Sequence, residues 1–256
     1  MLRIALRVIG GHIGTIKRRN MQKAIIVAAG LSSRLYPLTL QKPKGLLTIG
    51  DMGLLERSVN ILKKNGITDI AIVVGFEKEQ IMQQFGDSVT YITNPFYKNC
   101  NNMGSLWFAK SFVNNEQFAY LHGDIIYTEK LFSQTLAHYL QNNNEIELVT
   151  DYFYSDEESM KVRCTKDKFL IESNKQIPLN KSDGEWIGLA FIKNPAPLFN
   201  FIEKIMFDES LELYDTHAFT KMAQHGHKIF CSSTEKEHWM EIDFLKDYEN
   251  AKKLFS

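Results

Sequence analysis

Cysteine and proline are scarce and net charge is absent: the 256-residue chain has three cysteines, six prolines and 30 basic against 30 acidic residues. Cys100, Cys164 and Cys231 lie far apart without a C-x-x-C, so they supply neither a disulfide framework nor a zinc site. They read as reduced thiols of a cytoplasmic protein. A neutral chain lacks the concentrated basic excess that neutralises phosphates along a polymer, so no nucleic-acid partner is expected. No apolar run approaches the roughly 18 residues that suggest a membrane span, and no transmembrane segment is expected. Two phosphate-binding signatures, G-x-x-x-x-G-K-[ST] and G-x-G-x-x-G, are also missing, which sets aside the commonest ATPase and dehydrogenase readings.

What is present is ordinary globular composition, 44% hydrophobic and 23% charged, at a length that suits one generous α/β domain. The charge is unevenly placed. Residues 1–20 carry Arg3, Arg7, Lys17, Arg18 and Arg19 and no carboxylate, leaving 25 basic against 30 acidic residues in the rest. This stretch reads as an N-terminal basic extension outside the fold, with Met21 as an alternative start. Its rival is a basic amphipathic segment lying on an anionic surface.

From residue 23 apolar runs and helical patterns alternate. KAIIVAAG (23–30) is a continuous apolar run ending in glycine, the pattern of a strand buried on both faces of a parallel sheet. Leu55, Val59 and Leu62 share a helix face that stops at Asn65-Gly66. Strands are expected at 69–75, 89–94, 118–124 and 145–153, with helices at 77–86, near 103–113 and over 128–142. The second half changes character. Residues 160–175 form a hairpin about Lys166-Asp167-Lys168, followed by a strand at 187–193 and a helix at 195–207. A last helix places Phe244, Tyr248, Ala251 and Phe255 on one face. The fold class is therefore α/β, a doubly wound, mostly parallel sheet with right-handed crossovers and a small hairpin-containing region. Residues 21–256 form a single domain, with one part over about 21–150 and another over about 151–256.

Ligands of open α/β sheets bind beyond the carboxyl ends of the strands. After the first strand come Gly30, Ser32, Ser33 and Arg34, then Lys42-Pro43-Lys44. The glycine admits an anion close to backbone N–H groups, the serines add donors, Arg34 offers a planar fork and Lys44 a mobile point charge.

AIIVAAGLSSRLYPLT followed by KPKGLLTIG resembles the N-terminal signature of the nucleotidyltransferases that join a nucleoside triphosphate to a sugar phosphate or small phosphorylated alcohol. The likeness covers the chain from about residue 22 and implies a Rossmann-like nucleotidyltransferase fold, similar to the GT-A fold, with the nucleotide part over about 21–150 and the hairpin-containing acceptor region and second metal ligand over about 151–256. It implies that Ala28, Ala29, Gly30, Ser32 and Ser33 contact the nucleotide, with Arg34 on the triphosphate and Lys44 near the reacting phosphates. It also makes Asp124 and Asp243 ligands of Mg²⁺, a cation that uses one or two protein carboxylates plus substrate phosphates. Each aspartate has a local rival role: Asp124 in a Gly-Asp turn, Asp243 as the N-cap of the last helix.

Within this family NPFYKNCNNMGSLWFAK (94–110) most resembles the phosphocholine cytidylyltransferase branch, which sets Asn101, Asn102 and Ser105 near the base or ribose. Glu185 and Gly188 resemble the segment facing the acceptor, and Tyr152 and Trp239 would form an aromatic wall for a quaternary ammonium. His217, His225, His227 and His238 show no metal-ligand spacing. The resemblance thus implies transfer of CMP from CTP to a small phosphorylated or phosphonylated acceptor, with pyrophosphate released, in cell-surface glycan or lipid decoration. Three alternatives stand beside it. They are a sugar-1-phosphate nucleotidyltransferase using UTP, dTTP or GTP, a glycosyltransferase of related fold, and a non-catalytic nucleotide sensor.

Overall fold

The computed structural model describes residues 21–255, so the basic extension expected over residues 1–20 lies outside the described residues. In chain order the first half contains β1 (Lys23–Ala28), β2 (Thr48–Ile49), β3 (Met52–Gly53), α1 (Leu54–Lys64), β4 (Asp69–Val74), α2 (Lys78–Phe85) and β5 (Thr90–Thr93). It continues with α3 (Asn102–Phe108), α4 (Lys110–Val113), β6 (Phe118–His122), β7 (Ile125–Tyr127), α5 (Glu129–Gln141) and β8 (Ile146–Asp151). The second half holds β9 (Lys161–Cys164), β10 (Leu170–Ser173), β11 (Gly184–Ile192), α6 (Pro195–Asp208), α7 (Asp215–Gln224), β12 (Ile229–Ser233), β13 (Trp239–Glu241) and α8 (Leu245–Phe255).

One nine-stranded sheet organises these elements, in the order β10-β9-β11-β6-β1-β4-β5, with β8 pairing β11 and β12. The pairs β1–β4, β1–β6, β4–β5 and β8–β12 are parallel, whereas β11 runs antiparallel to β6, β8 and β9. The fold is thus a mixed α/β layer structure about a mostly parallel sheet. Alternate residues of the buried strands feed two cores. Ile25, Val27, Tyr120, Leu148 and Trp186 face α3, α6 and α7. Ala24, Ile26, Ile72, Leu121 and Phe191 face α1 and α5.

The helix expected near 103–113 breaks at Ala109 into α3 and α4, and the strand expected at 187–193 begins three residues earlier, at Gly184. Asp124 does not end a strand; β6 stops at His122, and Asp124 lies in the turn to β7. The elements α7, β12 and β13 add to those expected. The last matters most, because β13 pairs with β7 and carries the C-terminal segment back to the first half, Glu241 opposite Ile125. There α8 is seated by a small core of Leu35, Ile49, Ile126, Ile242 and Ala251. No helix among the described residues is long and apolar enough to cross a membrane.

Candidate active site

The strand order turns between β1 and β6: β4 and β5 lie on one side of β1, β6 on the other. This is the switch point at which open α/β sheets present a crevice. Val27 and His122 are paired at the adjoining strand ends. Gly123 then donates its backbone N–H to Val27 O at 2.8 Å. A Cβ on Gly123 would lie 2.8 Å from Ala28 Cβ and 2.9 Å from Val27 O, so only glycine lets this turn press against β1. The close approach delivers Asp124 to the mouth of the loop after β1.

That loop is shaped as an open cradle. Ala28 closes the strand, and buried Ala29 accepts a hydrogen bond from Phe76 N at 3.0 Å. Gly30 is exposed, and a Cβ built on it would meet nothing within 4 Å. Ser32 adopts a left-handed conformation, φ 52°, with its carbonyl accepting from Thr39 Oγ1 at 2.7 Å. Ser33 and Arg34 open a short 3₁₀ turn whose Leu35 is fully buried.

Five charged groups converge beside it. Lys44 Nζ lies 3.1 Å from Asp124 Oδ2 and 2.8 Å from Asp243 Oδ1. Arg34 Nη2 lies 2.8 Å from Asp243 Oδ2 and stacks at 5.2 Å over Phe244. Glu241 completes the group: Asp124, Glu241 and Asp243 each offer a carboxylate oxygen, all within 4.8 Å of one another. Burial alone would lower the Lys44 pKa, but Asp124 and Asp243 outweigh it and hold the ammonium above its ordinary value. Burial would likewise raise Asp124, yet Lys44 and His122 keep it below. At Glu241 the same two cations are outweighed; burial, with Asp124 and Asp243 beside it, pushes it up to about 8.

The residues fit a divalent cation. Asp124 Oδ1 is buried without a hydrogen-bond partner, and an orphaned carboxylate oxygen among further carboxylates is the donor set that hard Mg²⁺ takes. His217, His225, His227 and His238 contribute nothing to this cluster. Asp243 does not cap the last helix. Asp247, in the first turn of α8, accepts from the backbone N–H of Asp243 at 3.1 Å and of Phe244 at 2.7 Å. Both Asp243 oxygens are thereby free to face the cations.

The sequence reasoning missed three of these groups. Glu241 stands two residues before Asp243, a spacing that puts side chains on one face of an extended segment and could have revealed it. His122 and Asp215, 93 positions apart, carried no signal. His122 Nε2 meets buried Asp215 Oδ2 at 2.7 Å, and Tyr120 Oη donates to the same oxygen at 2.6 Å. Burial would lower His122, but Asp215 raises it to about 9.

Other expected residues lie outside the charged cluster. Asn101 Oδ1 caps α3 through Asn102 N at 2.9 Å. Ser105 Oγ accepts from buried Asn94 Nδ2 at 3.0 Å. Both therefore hold the 94–105 loop, while Asn102 Nδ2 lies 3.3 Å from His122 Nε2. Gly188, at φ +82°, is required because a Cβ would sit 3.0 Å from the His122 ring. That glycine makes room for the imidazole. Glu185 is buried and accepts from Ser159 Oγ at 2.7 Å; burial, with Asp156 and Asp151 adding to it, pushes it up to about 7. The joint aromatic wall of Tyr152 and Trp239 does not form. Trp239 Nε1 donates to Asp151 Oδ2 at 2.7 Å and packs with the α1/α5 core. Tyr152 Oη donates to Cys231 O at 2.7 Å and packs in the opposite core. Successive residues leave a strand on opposite faces, which is why the partners of Asp151 and Tyr152 are separated by the sheet.

A family model described as Nucleotidyl transferase matches residues 23–161. The choline-phosphate cytidylyltransferase of Streptococcus pneumoniae is 28% identical over 246 residues, covering 91% of this chain and 97% of that protein. The CTP:phosphoglutamine cytidylyltransferase of Campylobacter jejuni is 25% identical over 258 residues, covering 88% and 97%. A solved CTP:phosphocholine cytidylyltransferase from S. pneumoniae superposes with a TM-score of 0.73 at 24% identity, over 91% of this chain and 99% of that one.

Proposed function

The chain belongs to the nucleotidyl transferase family, and from that premise we propose that this nucleotidyltransferase moves CMP from CTP to a small phosphorylated or phosphonylated acceptor. The observation that carries the reading is Lys44 bridging Asp124 and Asp243, with Arg34 alongside, at the mouth of the loop after β1. Two cations at an anion cradle suit a triphosphate, and three carboxylates beside them suit the metal ion that accompanies one.

An acceptor oxygen attacks the α-phosphorus; the new P–O bond forms as the bond to the β-phosphate oxygen breaks, and its electron pair leaves with pyrophosphate. A phosphate oxygen is already anionic near neutral pH, so no general base is required. The obstacle is repulsion between two polyanions, met by alignment and charge neutralisation. Asp124, Glu241 and Asp243 would hold Mg²⁺, which when bound supplies Lewis-acid neutralisation at the phosphates. Arg34 and Lys44 bind phosphate oxygens. The 29–33 loop offers backbone N–H groups, and Asn102 lies towards the base and ribose.

Cytosine is favoured by likeness, over nearly the whole of both chains, to two cytidylyltransferases. An acceptor carrying an ammonium or amide beside its phosphate is favoured by acidic Asp151, Asp156 and Glu185 grouped near Trp239 and Tyr154. The test is pyrophosphate release with Mg²⁺, offering CTP, UTP, GTP, ATP and dTTP against phosphocholine, aminoethylphosphonate, phosphorylated amino acids and several sugar-1-phosphates. Release with CTP and a non-sugar acceptor is expected. Release only with UTP, dTTP or GTP and a sugar phosphate would overturn the base and acceptor assignment. Asp124→Ala is expected to lower turnover at least a hundredfold, on the scale of a lost charge-stabilising group, with a smaller loss of nucleotide affinity. Unchanged turnover would remove Asp124 from the machinery.

A further inference from the structure

The contacts of Lys44 carry a consequence for the order in which ligands enter. Its ammonium is nine-tenths buried, at 10% side-chain exposure, and touches one oxygen of each of two carboxylates. The second oxygen of Asp243 is held by Arg34, while Asp124 Oδ1 has no partner. Two positive side chains therefore balance two of the three carboxylates. A divalent ion drawing on Asp124 and Asp243 would have Asp124 Oδ1 open to it, yet it would share both carboxylates with the Lys44 ammonium. A +1 and a +2 charge cannot share them at contact distance without strong repulsion across a buried, weakly screened site. Lys44 must then withdraw, and its burial makes withdrawal unfavourable unless another anion receives the ammonium. A nucleotide triphosphate beside the 29–34 loop is such an anion.

We propose that Lys44 is a counter-cation standing in for the metal, so that the divalent ion and the nucleotide triphosphate enter together and each strengthens the binding of the other. The proposal rests on the reading of Asp124, Glu241 and Asp243 as the metal site. It assigns Lys44 two opposed effects: it weakens metal binding to the free protein and strengthens nucleotide binding to the metal-loaded one. Such coupling is reciprocal, and couplings between sites are commonly about 5- to 150-fold. Arg34 differs in degree, because its side chain is 49% exposed and can leave Asp243 for water.

The experiment is Mn²⁺ binding, followed by loss of the free-ion paramagnetic resonance signal, to the full chain without nucleotide. Wild type, Lys44→Met, Lys44→Arg and, as a charge control, exposed Lys42→Met are compared. Methionine keeps the apolar stem while removing the charge. Lys44→Met is expected to bind Mn²⁺ about tenfold more tightly than wild type. Lys44→Arg and Lys42→Met should stay within about twofold of it, below the roughly fivefold lower end of the coupling range. In a second measurement, with the Mn²⁺ that CTP alone chelates subtracted by a protein-free control, CTP should tighten Mn²⁺ binding to wild type, and this enhancement should shrink in Lys44→Met. The second measurement on wild type alone keeps the test alive if Lys44→Met fails to fold. Equal or weaker Mn²⁺ binding by folded Lys44→Met, or CTP leaving wild-type Mn²⁺ affinity unchanged, overturns the proposal while the metal site stands. Mn²⁺ binding that is indifferent to both Asp124→Asn and Asp243→Asn overturns the metal site, and the proposal falls with it.

Discussion

Glu185 shows how one side chain links burial to pH. It is 6% exposed, accepts from Ser159, and faces Asp156 and Asp151, so its pKa rises from 4.5 to about 7. A carboxyl raised in the folded state favours the neutral form there. Its contribution to stability is present in full below about pH 4.5, where both states hold the proton, and is lost as pH climbs towards 7. Replacing Glu185 by glutamine keeps an acceptor for Ser159 and removes that loss. Glu185→Gln should therefore gain on wild type as pH rises from 5 to 8, by on the order of 2 kcal/mol at 1.36 kcal/mol per pKa unit. Urea unfolding of both proteins at the two pH values measures the gap. A gap that does not widen means that wild-type Glu185 is ionised throughout.

At the scale of elements, the C-terminal segment is the device that completes the site. Ile242 N donates to Asp124 O at 2.9 Å, extending the β13–β7 pairing, and Asp247 then closes the exposed N–H groups at the start of α8. Two donors lose their acceptor in Asp247→Ala. A lost helix N-terminal acceptor costs about 1 kcal/mol, which in a chain of this size lowers the thermal midpoint by about 2–4 °C. Because the same contact orients Asp243, Mn²⁺ affinity should fall with it. A calorimetric scan and a metal titration check the pair of effects, and a midpoint shift without any change in Mn²⁺ affinity would confine Asp247 to capping. This segment also marks where the sequence was legible and where it was not. β1, β4 and β6 stood out because strands buried on both faces need continuous apolar residues, and the helical period set α1, α5 and α8. The strand β13 is three residues long, too short to show a period, so the return of the chain to β7 left no trace. α7 hid for a related reason: Asp215 and Thr216 are buried at its start, and polar residues in a core-facing position break the apolar count. Residues carrying a motif, such as Arg34, Lys44, Asp124 and Asp243, could be named in advance. Groups defined by tertiary proximity alone, His122 with Asp215, could not.

At the scale of the whole molecule, the candidate site draws on segments from opposite ends of the chain. Arg34 and Lys44 follow β1, Asp124 follows β6, and Glu241 with Asp243 joins β13 to α8. These segments are held together by the β13–β7 pairing with its Ile242–Asp124 hydrogen bond, by the small core under α8, and by the charge pairs of Arg34 and Lys44 with Asp124 and Asp243. A ligand that binds only the folded arrangement stabilises it by mass action, about 2.7 kcal/mol at a hundredfold excess over the dissociation constant. Since the groups it would engage lie on three separate segments, that stabilisation cannot remain local. CTP with Mg²⁺ should slow amide exchange in residues 29–46, 123–127 and 239–247 together, and should raise the thermal midpoint. Neither CTP nor Mg²⁺ alone should match the pair, because each leaves charges in the cluster uncompensated. Asp124→Asn should remove the part of the midpoint shift that depends on Mg²⁺ and keep a smaller shift from CTP bound through Arg34 and Lys44. Hydrogen exchange read by mass spectrometry separates the cases. Protection confined to 29–46 would mean that the C-terminal carboxylates take no part in holding the nucleotide, and that the cluster of three carboxylates serves the fold instead.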